Sequence, residues 1–409
     1  MVIDILLLGD ICSCKNSKFS INGDNSLLLF NLETPIIKKK TSPIKKAGPH
    51  LFSKELVLPV VNSESTIVAN LANNHIMDFG DTGLMNTLNE CYKKNILVVG
   101  AGENIEKAKA PIIIDVGNKK VGIIGCCETQ FGISAPWKSG VASIGHWIYS
   151  AIRDLKDKVD IIIISVHGAS EMSPWPSPEW QELLRSFIDT GANIVHGHHS
   201  HVPQGYEEYN DGVIFYGMGN FVVDPKAGED RQNTLWSIIP KIKVANGKLE
   251  YSINTSVISE DTDNSIFVRK SNAEEFEKHN NYLEMCNKPL NDKELLTALW
   301  QEVSVRMYYQ HYAKYLNFPE GKQKWEKLSI RKCIKTFLIG LMQCVDGKKH
   351  FLTKSTQSEL LLWYHLFACE SHRNSIATAL GVLGGEIEDL RNNKTKSYVD
   401  EMMSWSKLE

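Results

Sequence analysis

Four histidines fall within six positions at residues 196–201, which read HGHHSH directly after the apolar run ANIV. Imidazole is the commonest side-chain metal ligand and titrates near neutrality, so crowding it at the end of a buried run points to metal or acid–base chemistry. Other apolar runs close in the same way. ILLLGD ends on Asp10, LLLFNLE on Glu33, IVANLANNH on Asn73, Asn74 and His75, and IIIISVH on His167. One Asp, one Glu, an Asn and several His form a mixed oxygen and nitrogen donor set suited to Zn, Mn or Fe, without the all-thiolate character of a structural zinc site. Two divalent ions about 3.5–4 Å apart need roughly this many ligands. Within the histidine loop, His199 and His201 flank Ser200 and are the expected ligands. His196 continues the apolar run and reads as a packed residue, while alternation turns His198 the other way. The isolated histidines, His50, His146, His279, His311, His350, His365 and His372, read as surface or satisfied core residues.

These groups need a scaffold that brings strand ends together. Short β-branched or leucine-rich runs alternate with helix-like segments through about residue 240, which implies a layered α/β core with strands buried on both faces. Loops leaving the carboxyl ends of neighbouring strands converge on one crevice in such folds. The GN at 117–118 between two apolar runs signals a hairpin, so a mixed sheet is expected. SPEWQELLRSFIDTG opens a helix with Ser177 as N-cap and Pro178 at the first helical position, and Gly191 ends it. A further hairpin is expected to turn at the NGK of 246–248. Beyond residue 270 the segments AEEFEKHNNYLEMC, DKELLTALWQEVSVRMYYQHYAKYL, SIRKCIKTFLIGLMQC and STQSELLLWYHLFACESHRNSIATALGVL carry 3.6-residue periodicity. The expected division is an α/β domain over 1–260 and a helical C-terminal region over 270–409.

Composition excludes some classes. A chain of 409 residues with 43% hydrophobic content can bury a large core, and a net charge of −3 from scattered residues offers no field to gather a nucleic acid. The one basic run, KKKTSPIKK at 38–46, reads as a solvated loop. Nine cysteines without a CxxC pair suit a reducing compartment, and Cys12 and Cys14 are too close for an ordinary bridge. The opening MVIDILLLGD carries no basic leader and falls short of the ~20 apolar residues that span a bilayer. A cytoplasmic protein without a membrane span is expected. Oligomeric state is not readable.

Seven motifs in order, LLLGD, FNLETP, ANLANNHIMDFGDTGLMNTL, VVGAGEN, SVHGASE, IDTGANIVHGHHSHVPQGYEEY and FYGMGNFVVD, resemble the CapA-like (poly-γ-glutamate capsule synthesis) branch of the calcineurin-like metallophosphoesterases. The likeness runs from about residue 3 to 225 and does not reach the C-terminal helices. It implies a four-layer α/β/β/α sandwich. It further implies Asp10 and Glu33 as carboxylate ligands, Asn74 as an amide ligand, and His167, His199 and His201 completing the metal shell. His75 becomes the acid or transition-state stabiliser, Asp10 and Glu171 share the catalytic site, and Asn73, Asp78, Cys12 and Asn220 line the substrate cleft. Two departures stand out. The D-x-H opening of most metallophosphoesterases is lost because Cys12 stands two after Asp10, and HWGxE reads HGASE.

The leading expectation is a metal-dependent hydrolase of a phosphoester or a peptide-like γ-glutamyl substrate, using two divalent ions. The alternative is a peptide epimerase that needs no metal and inverts a Cα centre by proton removal and return, which requires two acid–base groups about one carbon. A non-catalytic capsule or envelope assembly factor is the third reading.

Overall fold

The computed structural model describes residues 3–12, 15, 17–19, 27–56, 58, 65–228, 231–245, 248–316 and 354–406. The apolar runs form strands of two mixed sheets. The first runs in the order Ser17–Phe19, Ile266–Lys270, Lys248–Glu260, Trp236–Ala245, Ile3–Cys12, Leu27–Leu32, Thr66–Asn70 and Ile96–Val99, with Asn220–Val223 also paired to Ile3–Cys12. The second runs Tyr206–Tyr209, Gly212–Phe215, Ile194–His198, Ile161–His167, Lys119–Cys127 and Ile112–Val116. Ile161–His167 is buried at every position because it is central in its sheet and covered on both faces. The expected hairpin joins Ile112–Val116 to Lys119–Cys127, and Gly117 supplies its φ of +61°. The second expected hairpin also forms, as Trp236–Ala245 pairs antiparallel with Lys248–Glu260, although Asn246 and Gly247 lie outside the described residues.

Side-chain alternation sorts the core into layers. Ile5, Leu7, Leu29 and Val68 of the first sheet meet Ile123, Ile163, Ile194 and Phe215 of the second. Their neighbours point outward: Leu6, Leu28 and Phe30 pack with Leu84 and Cys91 of helix Gly80–Lys93. On the second sheet, Ile124, Ile162 and Val195 pack under Ile148 and Ile152 of Trp147–Lys156 and under Leu184 and Phe187 of Pro178–Thr190. That last helix begins as its sequence predicts, with Ser177 Oγ accepting from the Trp180 N–H and Gly191 closing it at φ +125°.

The periodic segments beyond 270 form helices Ala273–Asn287, Lys293–Met307, Lys354–Ala368, Glu370–Gly384 and Asn393–Met402, with a π-turn at Tyr308–Tyr312. SIRKCIKTFLIGLMQC, together with His350, lies outside the described residues, as does Cys14 near the amino end. The helices bury Leu299, Trp300, Val303, Ile376 and Val399 together, and Trp175 from the α/β part joins that cluster. Polar contacts tie the two parts. Gln181 Nε2 donates to Leu290 O at 2.8 Å, Tyr282 Oη to Pro203 O at 2.9 Å, and the Thr129 N–H to Glu370 Oε2 at 2.7 Å. Among the described residues no helix is long and apolar enough to cross a membrane.

Candidate functional site

The strand tips do converge. Ile3–Cys12 shifts register against both Leu27–Leu32 and Asn220–Val223 at Asp10. This requires a very close approach just before it, since a Cβ on Gly9 would lie 2.0 Å from Gly219 O. Asp10 is thereby fully buried, accepting from Asn31 Nδ2 at 2.7 Å and from the His199 N–H at 3.2 Å. Glu33 follows Leu27–Leu32. It too is fully buried, and neither carboxylate oxygen has a hydrogen-bond partner among the described residues.

The strand expected to run to His75 stops earlier, at Asn70. Its Oδ1 accepts from the Ala72 N–H at 3.1 Å, turning the chain, and Asn73 Oδ1 then accepts from the N–H groups of His75 and Ile76. The turn presents Asn74 and His75 to the site. His167, at the end of its strand, has Nε2 3.0 Å from Asn74 Oδ1 and 3.5 Å from Glu33 Oε1. His199 and His201 have φ of +100° and +57°, and Ala169 and Met172 beside Glu171 are also left-handed. Such conformations cost L side chains energy and persist where surrounding structure holds them.

Among the described residues four overlapping triads result: Asp10, His167 and His198; Glu33, His167 and His199; Glu171, His199 and His201; and Asp10, Glu33 and His201. In each, the potential ligand atoms lie within 4.8 Å of one another. Among the described residues Glu33 has no hydrogen bond to either oxygen and His199 none to Nδ1, which is costly to bury without a ligand, so the donor set fits a divalent cation. Burial, then Asp10 and Glu171, push the Glu33 carboxyl up to about 8 against the pull of His201. Burial opposes charge on His201, but Glu33, Asp10 and Glu171 outweigh it and raise that imidazole to about 9. Burial lowers His199 to about 3 and keeps His167 neutral.

His196 is packed as expected, its Nε2 2.8 Å from Leu8 O. His198 is not turned away: residues 196 and 198 share a face of their strand, and His198 Nδ1 sits 2.8 Å from His167 Nδ1.

His75 Nδ1 lies 2.8 Å from Asp78 Oδ2 and 3.1 Å from Lys46 Nζ. Lys46 corrects the expected solvated loop. Residues 38–40 are exposed, but Lys46 folds inward to pair with Asp78, its side chain only 3% exposed. Asn73 and Asp78, expected to line the cleft, stand behind its wall instead. Both are fully buried, Asn73 donating to Leu32 O at 2.8 Å and Asp78 accepting from the Leu51 N–H at 2.7 Å.

The cleft itself is a cavity of about 490 Å³. Cys12, Asn74, His75, Glu171, His201 and Asn220 line it, and Asn220 Oδ1 is 3.0 Å from His201 Nδ1. The cavity also takes in Lys46, Gln130, Phe131, Arg231, His365 and His372, which the sequence did not assign to it. The local signal for His365 is a histidine within the apolar helical run LLLWYHLFA, whereas His372 sits in the polar stretch ESHRNS and carries none.

The family model described as Bacterial capsule synthesis protein PGA_cap matches residues 19–225. The chain belongs to this family. The match agrees with the CapA-like resemblance and stops before the helices. Among relatives, Capsule biosynthesis protein CapA of Bacillus anthracis is 31% identical over 203 residues, covering 47% of this chain and 49% of that protein. PGA biosynthesis protein CapA of Bacillus subtilis is 32% identical over 209 residues, 50% of this chain and 55% of that one. A Mycobacterium tuberculosis protein named as a probable polyglutamine synthesis accessory protein is 31% identical over 217 residues, 50% of this chain and 57% of its own. The chain thus spans about half the length of these relatives. Every potential metal ligand in the four triads except Asp10 lies within the PGA_cap match.

Proposed function

We propose that the protein is a metal-dependent hydrolase of the capsule-synthesis family, acting on a phosphoester or on a peptide-like γ-glutamyl substrate. The observation that carries this is Glu33, a fully buried carboxylate without a hydrogen-bond partner among the described residues, inside overlapping Asp, Glu and His triads. Asp10, Glu33, Asn74, His167, His198, His199 and His201 are the residues that would hold one or two divalent ions such as Mn, Zn or Fe. A bound ion there supplies Lewis-acid polarisation of the scissile group. The chain's own residues do the rest. Asp78 accepts from His75 Nδ1–H, which leaves Nε2 to exchange a proton with the reacting group, and burial keeps that imidazole neutral. Lys46 neutralises Asp78, and Asn220 orients His201. In this reading the α/β part expected over 1–260, which strand Ile266–Lys270 extends to residue 270, forms the four-layer sandwich, supported by the three apolar layers, and the described helices beyond 270 are an appended domain closing the cleft.

The test combines metal analysis of freshly purified protein with turnover of a γ-glutamyl dipeptide and a phosphoester panel. His75→Ala should abolish turnover with metal content intact. Stoichiometric metal together with an activity indifferent to chelation would overturn the proposal. A second reading, Cα epimerisation, draws on the acid–base groups that the strands and the helices both bring to the cavity, His75 and His372. It requires deuterium from heavy water to enter a peptide Cα, and unchanged substrate mass excludes it.

A further inference from the structure

Three separate helical segments bring one hydrogen-bonded chain to the cavity. Tyr312 of the π-turn has its Oη 2.8 Å from His372 Nδ1, and His372 Nε2 lies 2.9 Å from His365 Nε2. His365 lines the cavity, stacked on Phe131 with ring centroids 5.6 Å apart and planes at 19°. Its Nδ1 is buried and has no partner among the described residues. A neutral imidazole carries one N–H and one acceptor nitrogen. Burial pushes the Tyr312 phenol up, so it stays protonated and can donate. With the phenol donating to His372 Nδ1, His372 Nε2–H donates to His365 Nε2, and the His365 proton is forced onto Nδ1. The result is a fixed, desolvated N–H donor awaiting an acceptor.

Arg231 lines the same cavity, and it also lines a second cavity of about 210 Å³ that shares Glu171, Met172 and His372 with the first. Arg231 and His365 line one cavity, the guanidinium resting over the Trp405 ring at 5.0 Å, and a guanidinium together with an oriented N–H is a donor pair suited to an oxyanion. Arg231, Tyr312, His365 and His372 all fall outside the residues matched by the family model.

We propose that the C-terminal helices, with Arg231, form an oxyanion subsite in which His365 Nδ1–H and Arg231 hold a carboxylate or phosphate group of the substrate remote from the reacting bond. Its role in turnover rests on the hydrolase reading, but its affinity for an anion does not. Tyr312 is a positioning residue, acting through His372.

The experiment uses the full chain stripped of metal with neutral phenanthroline, titrated calorimetrically with glutarate, inorganic phosphate and uncharged glutaramide. Binding of glutarate or phosphate, but not glutaramide, is expected, and the preferred anion identifies the group held. His365→Ala and Arg231→Met should each weaken it about tenfold, and Tyr312→Phe several-fold. Arg231 is exposed, so its variant carries the test if His365→Ala lowers the melting temperature severely. No anion binding by the stripped chain, or binding undiminished in the Arg231 variant, overturns the subsite. Metal content of the unstripped wild type separates the two readings: metal retained without anion binding by the stripped chain overturns the subsite alone, and absent metal with anion binding retained overturns the hydrolase alone.

Discussion

Lys46 and Asp78 form an ion pair in which the lysine side chain is 3% exposed and the carboxylate 0%. Because Asp78 also contacts His75 Nδ1, the pair fixes the charge felt by the imidazole facing the cavity. A buried pair contributes little net stability, yet removing one partner strands the other charge. Lys46→Met should therefore lower unfolding free energy by about 3 kcal/mol or more, read by urea denaturation. Burial is the main influence lowering the His75 pKa and Lys46 adds to it, so the same variant should move the His75 titration upward by NMR.

Glu33 offers the sharpest test of metal binding. Glu33→Gln keeps the shape and removes the charge, so bound metal by elemental analysis should fall well below the wild-type content. Chelation should lower the melting temperature of the wild type and leave the variant nearly unchanged. A site saturated about 100-fold above its dissociation constant corresponds to about 2.7 kcal/mol of stabilisation.

The join between sheets and helices should respond to pH through Glu128. This carboxylate is buried and accepts from Ser371 Oγ, from Cys369 Sγ at 3.1 Å, and from the Ala169 N–H at 3.2 Å. Burial is the main cause that raises it to about 7, from an ordinary 4.5. The folded state thus keeps its proton where the unfolded chain has already released one. The group's stabilising contribution is complete below about pH 4.5 and is lost as pH climbs to about 7, a change on the order of 3 kcal/mol. Glu128→Gln should flatten that slope in unfolding measurements between pH 5 and 7.

Gly197 sets the spacing between two of the clustered histidines. A Cβ there would lie 2.2 Å from Tyr216 O and 2.7 Å from Phe215 O, both backbone atoms with little freedom to yield. Gly197→Ala should cost about 1–3 kcal/mol and, by displacing His196 and His198, reduce metal uptake measured at fixed metal concentration.

The sequence by itself determined a layered α/β core, the helical character beyond 270 and most strand-tip residues of the site. Those features are local: a β-branched run buries both faces, and the polar residue that ends it is left at a strand tip whatever the partner strands. Asp10, Glu33, His167, His199 and His201 were legible for that reason, and His75 for following its apolar run, although that strand ends at Asn70 and a turn presents the imidazole. Tertiary structure alone decided the rest. The positive φ of His199 breaks the strand's alternation, so His198 faces the cluster together with its neighbour. Lys46 turned inward because a buried Asp78 waits 32 positions later, and no composition pattern marks that pairing. His365, His372 and Arg231 reached the cavity through the packing of helices against sheets. Contacts between segments so far apart in the chain leave no periodicity to read, since their register is fixed only when both surfaces meet.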